Sequence, residues 1–142
     1  MRIAALITWV ITALGGFHML GVWIRRGGVR QQRTGTSRLP APVVFGHFAL
    51  AAIGLVVWIG YLATGRSALA WAAFGLLLPV ALLGFVMPAR WIPAYRARAA
   101  TVPSGTDESV PAERHFPVAV VLPHGLFAVA TLVLVLLTAL GR

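Results

Sequence analysis

The stretch VVFGHFALAAIGLVVW, residues 43–58, contains no charged residue, and the imidazole of His47 is its one ionisable group. A second stretch, VVLPHGLFAVATLVLV at residues 120–135, repeats this pattern and places His124 at the matching position. Each stretch is typical of a membrane-spanning helix. An ionisable side chain inside such a helix is energetically costly and is by default functional, with a nearby partner. Two histidines in matching positions therefore predict a shared ligand.

The whole chain has the composition of an integral membrane protein. Of its 142 residues, 59% are hydrophobic and 11% are charged, and four uncharged segments each suffice for the ~20 residues of helix that cross a bilayer core. The predicted spans cover residues 3–24, 43–63, 68–89 and 117–141. Continuous apolar runs favour helices over a barrel, whose strands alternate apolar and polar residues. We therefore expect an all-α, four-helix up-down bundle that forms a single membrane domain over residues 1–142.

The charged residues indicate how this bundle lies in the membrane. All twelve basic residues are arginines, and nine of them lie in the predicted loops at 25–42 and 90–116. These nine are Arg25, Arg26, Arg30, Arg33, Arg38, Arg90, Arg96, Arg98 and Arg114. The positive-inside rule places both loops in the cytoplasm and both termini outside. The absence of lysine beside abundant alanine, glycine and arginine favours a bacterial source, so the predicted location is the bacterial inner membrane.

The same features narrow the classes of function and partner. Because membrane topology accounts for the net charge of +9, a nucleic-acid partner is not expected. The chain has no cysteine, which excludes disulfides and iron–sulfur clusters. No Asp or Glu lies in a predicted span, which disfavours a proton-coupled transporter. The candidate partners are the lipid bilayer, a quinone or a redox protein, and a second copy of the chain.

Three histidines share one depth in the predicted bundle. His18, His47 and His124 lie roughly 6–11 Å below the cytoplasmic edge, at about 1.5 Å of rise per residue, whereas His115 lies in the loop before the fourth helix. The second and fourth helices run in the same direction, so they are diagonal in an up-down bundle, about 11–14 Å apart. That separation suits an imidazole–iron–imidazole bridge, and we expect it to be too wide for two histidines on a bare zinc ion unless the bundle is squeezed.

Small residues accompany the histidines and would leave room for a flat cofactor. Four of them follow the two histidines of the repeat at helical spacings of four and seven residues. These residues are Ala51, Gly54, Ala128 and Thr131. In the third helix, Gly84 keeps the helix slim at the level of the histidines. The carboxylates of a porphyrin would point to the cytoplasmic edge, where basic side chains could pair with them. The candidates are Arg25, Arg26, Arg90 and His115.

The settings of the two repeated histidines, GHF at residues 46–48 and PHG at residues 123–125, resemble those of the small transmembrane b-type cytochromes. In that family, paired histidines on different helices ligate haem b, which passes electrons to or from quinols or other carriers. The resemblance covers the four spans and implies one haem b, with His47 and His124 as the axial ligands of its iron. Members with two haems need four intramembrane histidines in two layers. Here the outer layer has none, so the resemblance does not extend to electron transfer across the whole membrane by this chain alone.

Two other hypotheses compete with the haem site. In one, His18 joins His47 and His124 in a tri-histidine site for zinc or copper, although the spans offer no carboxylate as a fourth ligand or base. In the other, the chain is a non-catalytic accessory subunit whose histidines only join neighbouring helices. Under the haem hypothesis, we expect His18 beside the cofactor, bonding a propionate or lining a quinone-sized cleft, and not as an iron ligand.

Three further expectations concern the helix ends and the repeat. Trp58 and Tyr61 are predicted to form an aromatic girdle at the membrane surface. The stretch at residues 99–113 contains Asp107, Glu108 and Glu113 together with proline and glycine, so we expect a mobile loop. The similarity between the second and fourth helices suggests an old duplication of a two-helix unit, with detectable similarity over about one helix.

Overall fold

A computed structural model describes residues 1–100 and 110–141, leaving out the side chains of residues 97–100. Every regular element in this part of the chain is a helix. The elements are α1 (Arg2–Arg25), α2 (Gln31–Thr34), α3 (Ala41–Thr64), α4 (Ser67–Ala100), a 3-10 helix (Ala112–His115) and α5 (Val118–Ala139). The prediction of an all-α fold is confirmed.

Four of these helices are long and apolar enough to cross a membrane, and they match the four predicted spans. The prediction misplaced one boundary, because it began a loop at residue 90 whereas α4 continues to Ala100. Alanine and arginine are strong helix formers, so this helix continues beyond the end of its apolar stretch. It does so although Pro88 and Pro93 lie inside it.

The four long helices pack as an up-down bundle. The largest interfaces lie between α3 and α4 and between α1 and α5, with smaller ones between α4 and α5 and between α1 and α3. The remaining pairs, α1 with α4 and α3 with α5, are therefore diagonal in the described part of the chain. Gly65, with a left-handed φ of 68°, ends α3 and lets the chain reverse directly into α4. The predicted diagonal placement of the two histidine-bearing helices is confirmed. We call the end of the bundle that carries residues 26–40 and 110–117 the loop end, and the opposite end the hairpin end.

The internal repeat is larger than predicted, because α1 also matches α4. A shift of 68 positions aligns ALGGF at residues 13–17 with ALLGF at residues 81–85, and a shift of 77 positions aligns α3 with α5. Buried positions follow the same two shifts. The equivalent buried pairs are Ala5 with Ala73, Trp9 with Leu77, Trp23 with Trp91, Gly54 with Thr131, Trp58 with Val135, and Tyr61 with Thr138.

The bundle is therefore built from two tandem helix–loop–helix units, α1 with α3 and α4 with α5. If α1 is exchanged with α4 and α3 with α5, the α1–α5 interface takes the place of the α4–α3 interface, and these are the two largest interfaces of the bundle. The two units are therefore related by an approximate twofold axis along the bundle. Parallel repeats related by an axis along the membrane normal also occur in known transporters. His47 and His124 occupy equivalent positions in the two units.

Two aromatic residues fill the core of the hairpin end, so the predicted aromatic girdle is wrong. Trp58 is fully buried and Tyr61 is 5% exposed, with their ring centres 4.9 Å apart. Ala5 and Ala73 are fully buried in the same cluster. Small residues of this kind let membrane helices approach closely, and the two rings occupy the space that remains between them.

Gln31 links the loops of the two units at the loop end. Its Nε2 donates to the Val110 carbonyl (2.8 Å), and its Oε1 accepts from the Ala112 amide (2.9 Å). The side chain is only 6% exposed, and both ends of its amide are hydrogen-bonded, as burial of an amide requires. This clamp holds the 3-10 helix, which ends at His115, against α2.

Glu113 is fully buried, so the prediction of a mobile loop is wrong at this end of the stretch, whereas residues 101–109 lie outside the described residues. Its carboxylate oxygens accept hydrogen bonds from the Ser37 hydroxyl (2.9 Å) and the Arg38 amide. A buried carboxylate needs such donors to offset its lost hydration, and the loop of the first unit supplies them. The other two acidic residues, Asp107 and Glu108, lie outside the described residues.

Large apolar side chains cover the outside of the long helices. Val56, Leu82, Phe85 and Leu126 are between 68% and 70% exposed. Apolar surface of this extent is not typical of a monomeric soluble protein, whereas lipid tails accommodate it. The chain thus has the surface of a membrane protein.

Candidate functional site

Two imidazoles from opposite corners of the bundle meet in its interior. His47 projects from α3 and His124 from α5, and their ring centres lie 6.4 Å apart with the ring planes at 55°. Both side chains are half-buried. The structure thus brings together the two histidines that the sequence repeat singled out.

A hydrogen bond to the neighbouring helix holds each imidazole in place. His47 Nδ1 donates to the Val80 carbonyl on α4, and His124 Nδ1 donates to the Thr12 carbonyl on α1, both at 2.9 Å. A carbonyl oxygen can only accept a hydrogen bond, so both rings carry a proton on Nδ1. In the neutral ring, the Nε2 atom then keeps its lone pair and is available as a ligand. Histidine ligands of metals are commonly oriented by a bond from the other ring nitrogen in this way.

A glycine four residues after each carbonyl acceptor makes room for the ring. A Cβ at Gly84 would lie 3.3 Å from His47 Cε1, and a Cβ at Gly16 would lie 3.3 Å from His124 Cε1. Carbon atoms pack best at about 3.5–4.0 Å, so any side chain at either glycine would press on the ring. Gly16 and Gly84 are equivalent in the two units, and the site therefore has the approximate twofold symmetry of the fold.

The spacing of the rings fits a metal ion bound between them. A metal–imidazole bond is about 2.0–2.1 Å long, and the ligating nitrogen lies about 1.2 Å from the centre of a five-membered ring with bonds of about 1.35 Å. Two rings bonded in line to one ion would have centres about 6.4 Å apart, so the observed spacing of 6.4 Å is wide enough for an ion. The expectation that the pair is too wide for a bare ion is wrong, because both side chains reach inward from the diagonal helices.

The imidazole pair is also a candidate ligand set for a flat cofactor. A planar macrocycle that binds both imidazoles stands across the line joining them, so its edges face the other two corners of the bundle, α1 and α4. The residues of α1 and α4 beside the imidazoles are Gly15, Gly16 and Gly84. The imidazole rings occupy the space beside these glycines, and an imidazole pair is a ligand set that haem iron accepts. The described residues thus supply a pair of ligands suited to a haem iron.

Comparison with protein-family models, with curated protein sequences and with solved structures finds no match to this chain.

Part of the predicted small-residue lining packs against protein side chains. A Cβ at Gly54 would lie 3.0 Å from Trp9 Cζ2, so the Trp9 ring already fills the space beside this glycine. The buried Thr131 hydroxyl lies 2.9 Å from the Thr8 hydroxyl. Gly54 and Thr131 therefore join helices and leave no room for a macrocycle, contrary to the prediction. Ala51 and Ala128 are one turn closer to the histidines and half-buried, and they remain candidates for its lining.

His18 does not join the histidine pair. Its side chain is exposed on the outside of α1, whereas the His124 ring contacts the same helix at Gly15 and Gly16. In residues 1–100 and 110–141, no three His, Asp or Glu side chains lie together where they could hold a metal ion. The structure therefore does not support the tri-histidine hypothesis.

The basic residues of the loop end fall into two groups. Arg25, Arg26 and His115 line one pocket of about 310 Å³. Arg90 lies on α4, and its Nη1 donates to the Arg38 carbonyl (3.2 Å). Sequence reasoning identified these residues but missed the carbonyls that hold the imidazoles. The ALxGF motif shared by α1 and α4 was the signal that could have located those carbonyls, because it contains Gly16 and Gly84.

Proposed function

We propose that the chain binds one haem b, with His47 and His124 as the axial ligands of its iron, and takes part in electron transfer at the bacterial inner membrane. The observation that carries the proposal is the imidazole pair, with ring centres 6.4 Å apart and each ring held through Nδ1. The resemblance of the histidine settings to those of b-type cytochromes adds support. The redox partner would be a quinol or another electron carrier.

The residues of the chain orient the ligands and exclude water. The carbonyls of Thr12 and Val80 keep each imidazole in one tautomer and one orientation, and they make its Nε2 more basic. Gly16 and Gly84 give the rings space, and the surrounding apolar helices keep the site dry. A bound haem supplies one-electron redox chemistry, whose potential depends on its axial ligands and on its burial.

Arg90 is the best placed of the predicted propionate partners. It lies six residues beyond Gly84, which is about 9 Å along the helix towards the loop end. Arg25 lies nine residues beyond Gly16, or about 13 Å, and it lines a separate pocket with Arg26. We therefore assign a propionate contact to Arg90 and not to the two arginines at the end of α1.

The absorption spectrum of the purified protein tests the proposal. Wild type produced with ample haem should show a Soret band and, on reduction, the split visible bands of low-spin haem. His47→Ala and His124→Ala should each abolish this spectrum or convert it to a high-spin one. His18→Ala is the matched control, and it should keep the wild-type spectrum because its side chain lies outside the bundle. A colourless wild type, or an unaltered spectrum in the His47→Ala, His124→Ala double variant, would refute the proposal.

A purely structural role of the two histidines is the second candidate. Each Nδ1–H already joins two helices by bonding to a carbonyl, as polar side chains do in membrane bundles. On this account the chain is a non-catalytic accessory subunit. It is distinguished by a wild type that stays colourless at every haem concentration while both histidine variants unfold more easily than wild type.

A further inference from the structure

The loop end carries a basic pocket that the histidine site does not use. The pocket has a volume of about 310 Å³ and is lined by the end of α1, by α2 with its flanking turns and by the 3-10 helix. Its lining includes Arg25, Arg26, Arg30, Thr34, Thr36 and His115. The three arginines belong to the exposed residues of the chain, so a ligand can reach the pocket from outside the bundle.

A glycine turn brings the third arginine back over the end of α1. Gly27 has a φ of 81°, and the amides of Gly27 and Gly28 donate back into the last turn of α1, in the Schellman arrangement that ends many helices. Arg30 Nη2 lies 3.5 Å from the position that a Cβ of Gly27 would take. The Arg30 guanidinium thus lies over Gly27 and lines the same pocket as the two arginines at the end of α1.

Hydrogen bonds fix the other walls of the pocket. Arg25 Nε donates to the carbonyl four residues earlier on α1 (3.2 Å), which holds its guanidinium along the helix. The Gln31 clamp holds the 3-10 helix, and with it His115, on the other side. The hydroxyls of Thr34 and Thr36, 2.9 Å apart, add polar groups to the lining. The pocket is thus organised before any ligand arrives.

The charge of this lining favours an anion. Three guanidinium groups and an imidazole share one pocket, and like charges at close range repel each other. A bound anion would reduce this repulsion.

The fold does not require these arginines, as the repeat makes clear. In the second unit, the positions equivalent to Arg25 and Arg26 are Pro93 and Ala94. Residues that build the bundle, such as Trp23 and its equivalent, are kept in both units and buried in both. The basic pocket is built in one unit alone, which indicates a role other than holding the helices together.

We propose that this pocket binds a phosphate group, from the headgroup of an anionic phospholipid or from a free phosphate compound. Arginine binds phosphate oxygens through paired, charge-assisted hydrogen bonds. The pocket lies at the end of a membrane-length helix, where headgroups are found, and basic pockets at such positions bind anionic lipid headgroups. The Thr34 and Thr36 hydroxyls are suited to bonding the same oxygens.

Thermal unfolding of the detergent-solubilised chain, followed by tryptophan fluorescence, tests the site. The probes are dihexanoyl phosphatidylglycerol and inorganic phosphate at constant ionic strength, with dihexanoyl phosphatidylcholine as the zwitterionic control. We expect a saturable rise in unfolding temperature with phosphatidylglycerol or with phosphate, and none with phosphatidylcholine. Saturation by phosphatidylglycerol alone assigns the site to a lipid headgroup, and saturation by both probes assigns it to phosphate compounds in general.

Two triple variants separate the pocket from the overall charge. Arg25→Gln, Arg26→Gln, Arg30→Gln should weaken probe binding by about tenfold or more, because each arginine contributes charged hydrogen bonds. Arg33→Gln, Arg66→Gln, Arg96→Gln removes the same charge outside the pocket and should change the affinity less than about twofold, since exposed charges act weakly at a distance. Equal weakening in both variants, or no saturable effect of either probe on wild type, would overturn the proposal.

The haem proposal is tested separately by the same assay. The His47→Ala, His124→Ala double variant, which cannot hold haem through these ligands, should bind the phosphate probe as wild type does. Haem-loaded wild type should also bind it with unchanged affinity. Loss of probe binding on haem loading would assign the pocket to the haem propionates and overturn the phosphate site, whereas a colourless protein that binds the probe refutes the haem proposal alone.

Discussion

Substituting valine for Gly84 should displace the His47 ring and remove its hydrogen bond to α4. An alanine Cβ would lie 3.3 Å from His47 Cε1, so the ring would need to shift by only a few tenths of an ångström to reach normal packing at about 3.5–4.0 Å. Valine adds two carbons about 1.5 Å further out. A ring that moves by a comparable distance cannot keep its bond of 2.9 Å to the Val80 carbonyl.

The cost of this substitution has two parts. A buried donor without a partner costs about 1–3 kcal/mol, and overpacking of a helix interface costs about 1–3 kcal/mol more. We therefore expect Gly84→Val to lower the free energy of unfolding of the haem-free protein by about 2–6 kcal/mol. If the haem proposal holds, it should also weaken haem binding, because His47 Nε2 no longer points at the site. Gly84→Ala should have a smaller effect in the same direction.

Unfolding by sodium dodecyl sulfate in mixed micelles measures the first effect, and haem titration followed at the Soret band measures the second. Gly75→Val in the same helix is the matched control, since no atom lies within 4 Å of the Cβ it would add. The control carries the same change in helix propensity and should alter the stability by no more than about 1 kcal/mol. Equal destabilisation by the two valines, or a Gly84→Val protein as stable as wild type, would refute the packing argument.

Two further predictions concern the loop end and the membrane topology. Glu113→Ala should destabilise the protein by about 2–4 kcal/mol in the same micelle assay, because the Ser37 hydroxyl and the Arg38 amide lose a buried charged acceptor. Glu113→Gln keeps one oxygen as an acceptor and should destabilise the protein less. An alanine variant as stable as wild type would contradict the burial of Glu113. The chain contains no cysteine, so single cysteines can report its topology. Arg66→Cys should react with a membrane-impermeant maleimide on intact cells, and Arg33→Cys should react only after lysis, because the arginine-rich loops are predicted to be cytoplasmic. Labelling of Arg33→Cys on intact cells would show that the topology is the reverse.

The helices and the histidine pair could be predicted because their signals are local. Uncharged segments of membrane length follow from the hydrophobicity of individual residues, and the repeat of His47 at His124 is visible by inspection. The predictions from sequence were wrong where one residue type suits two environments and only the packing of the helices decides between them. Trp58 and Tyr61 suit a membrane surface as well as a core, and only the small facing residues of α1 and α4 decide that they are buried.

Glu113 and Gly54 show the same limit. A single carboxylate in a proline- and glycine-rich stretch resembles a solvated loop residue, and its burial depends on donors that lie 75 and 76 residues away in the chain. Gly54 leaves space next to its helix, but whether a cofactor or Trp9 takes that space depends on how α1 packs against α3.

By itself, the sequence determined that this chain is an all-α membrane protein with four spans and two equivalent histidines, since these properties follow from the hydrophobicity and the order of residues within single segments. The tertiary structure alone decided that the two imidazoles lie 6.4 Å apart and that His18 is excluded from the site. It also decided that the Thr12 and Val80 carbonyls accept hydrogen bonds from the Nδ1 atoms of the two rings, so that the Nε2 atoms remain as possible ligand atoms. Backbone carbonyls are common to all residues and carry no sequence signal, so their role appears only when helix packing brings a particular one within hydrogen-bond distance of a ring.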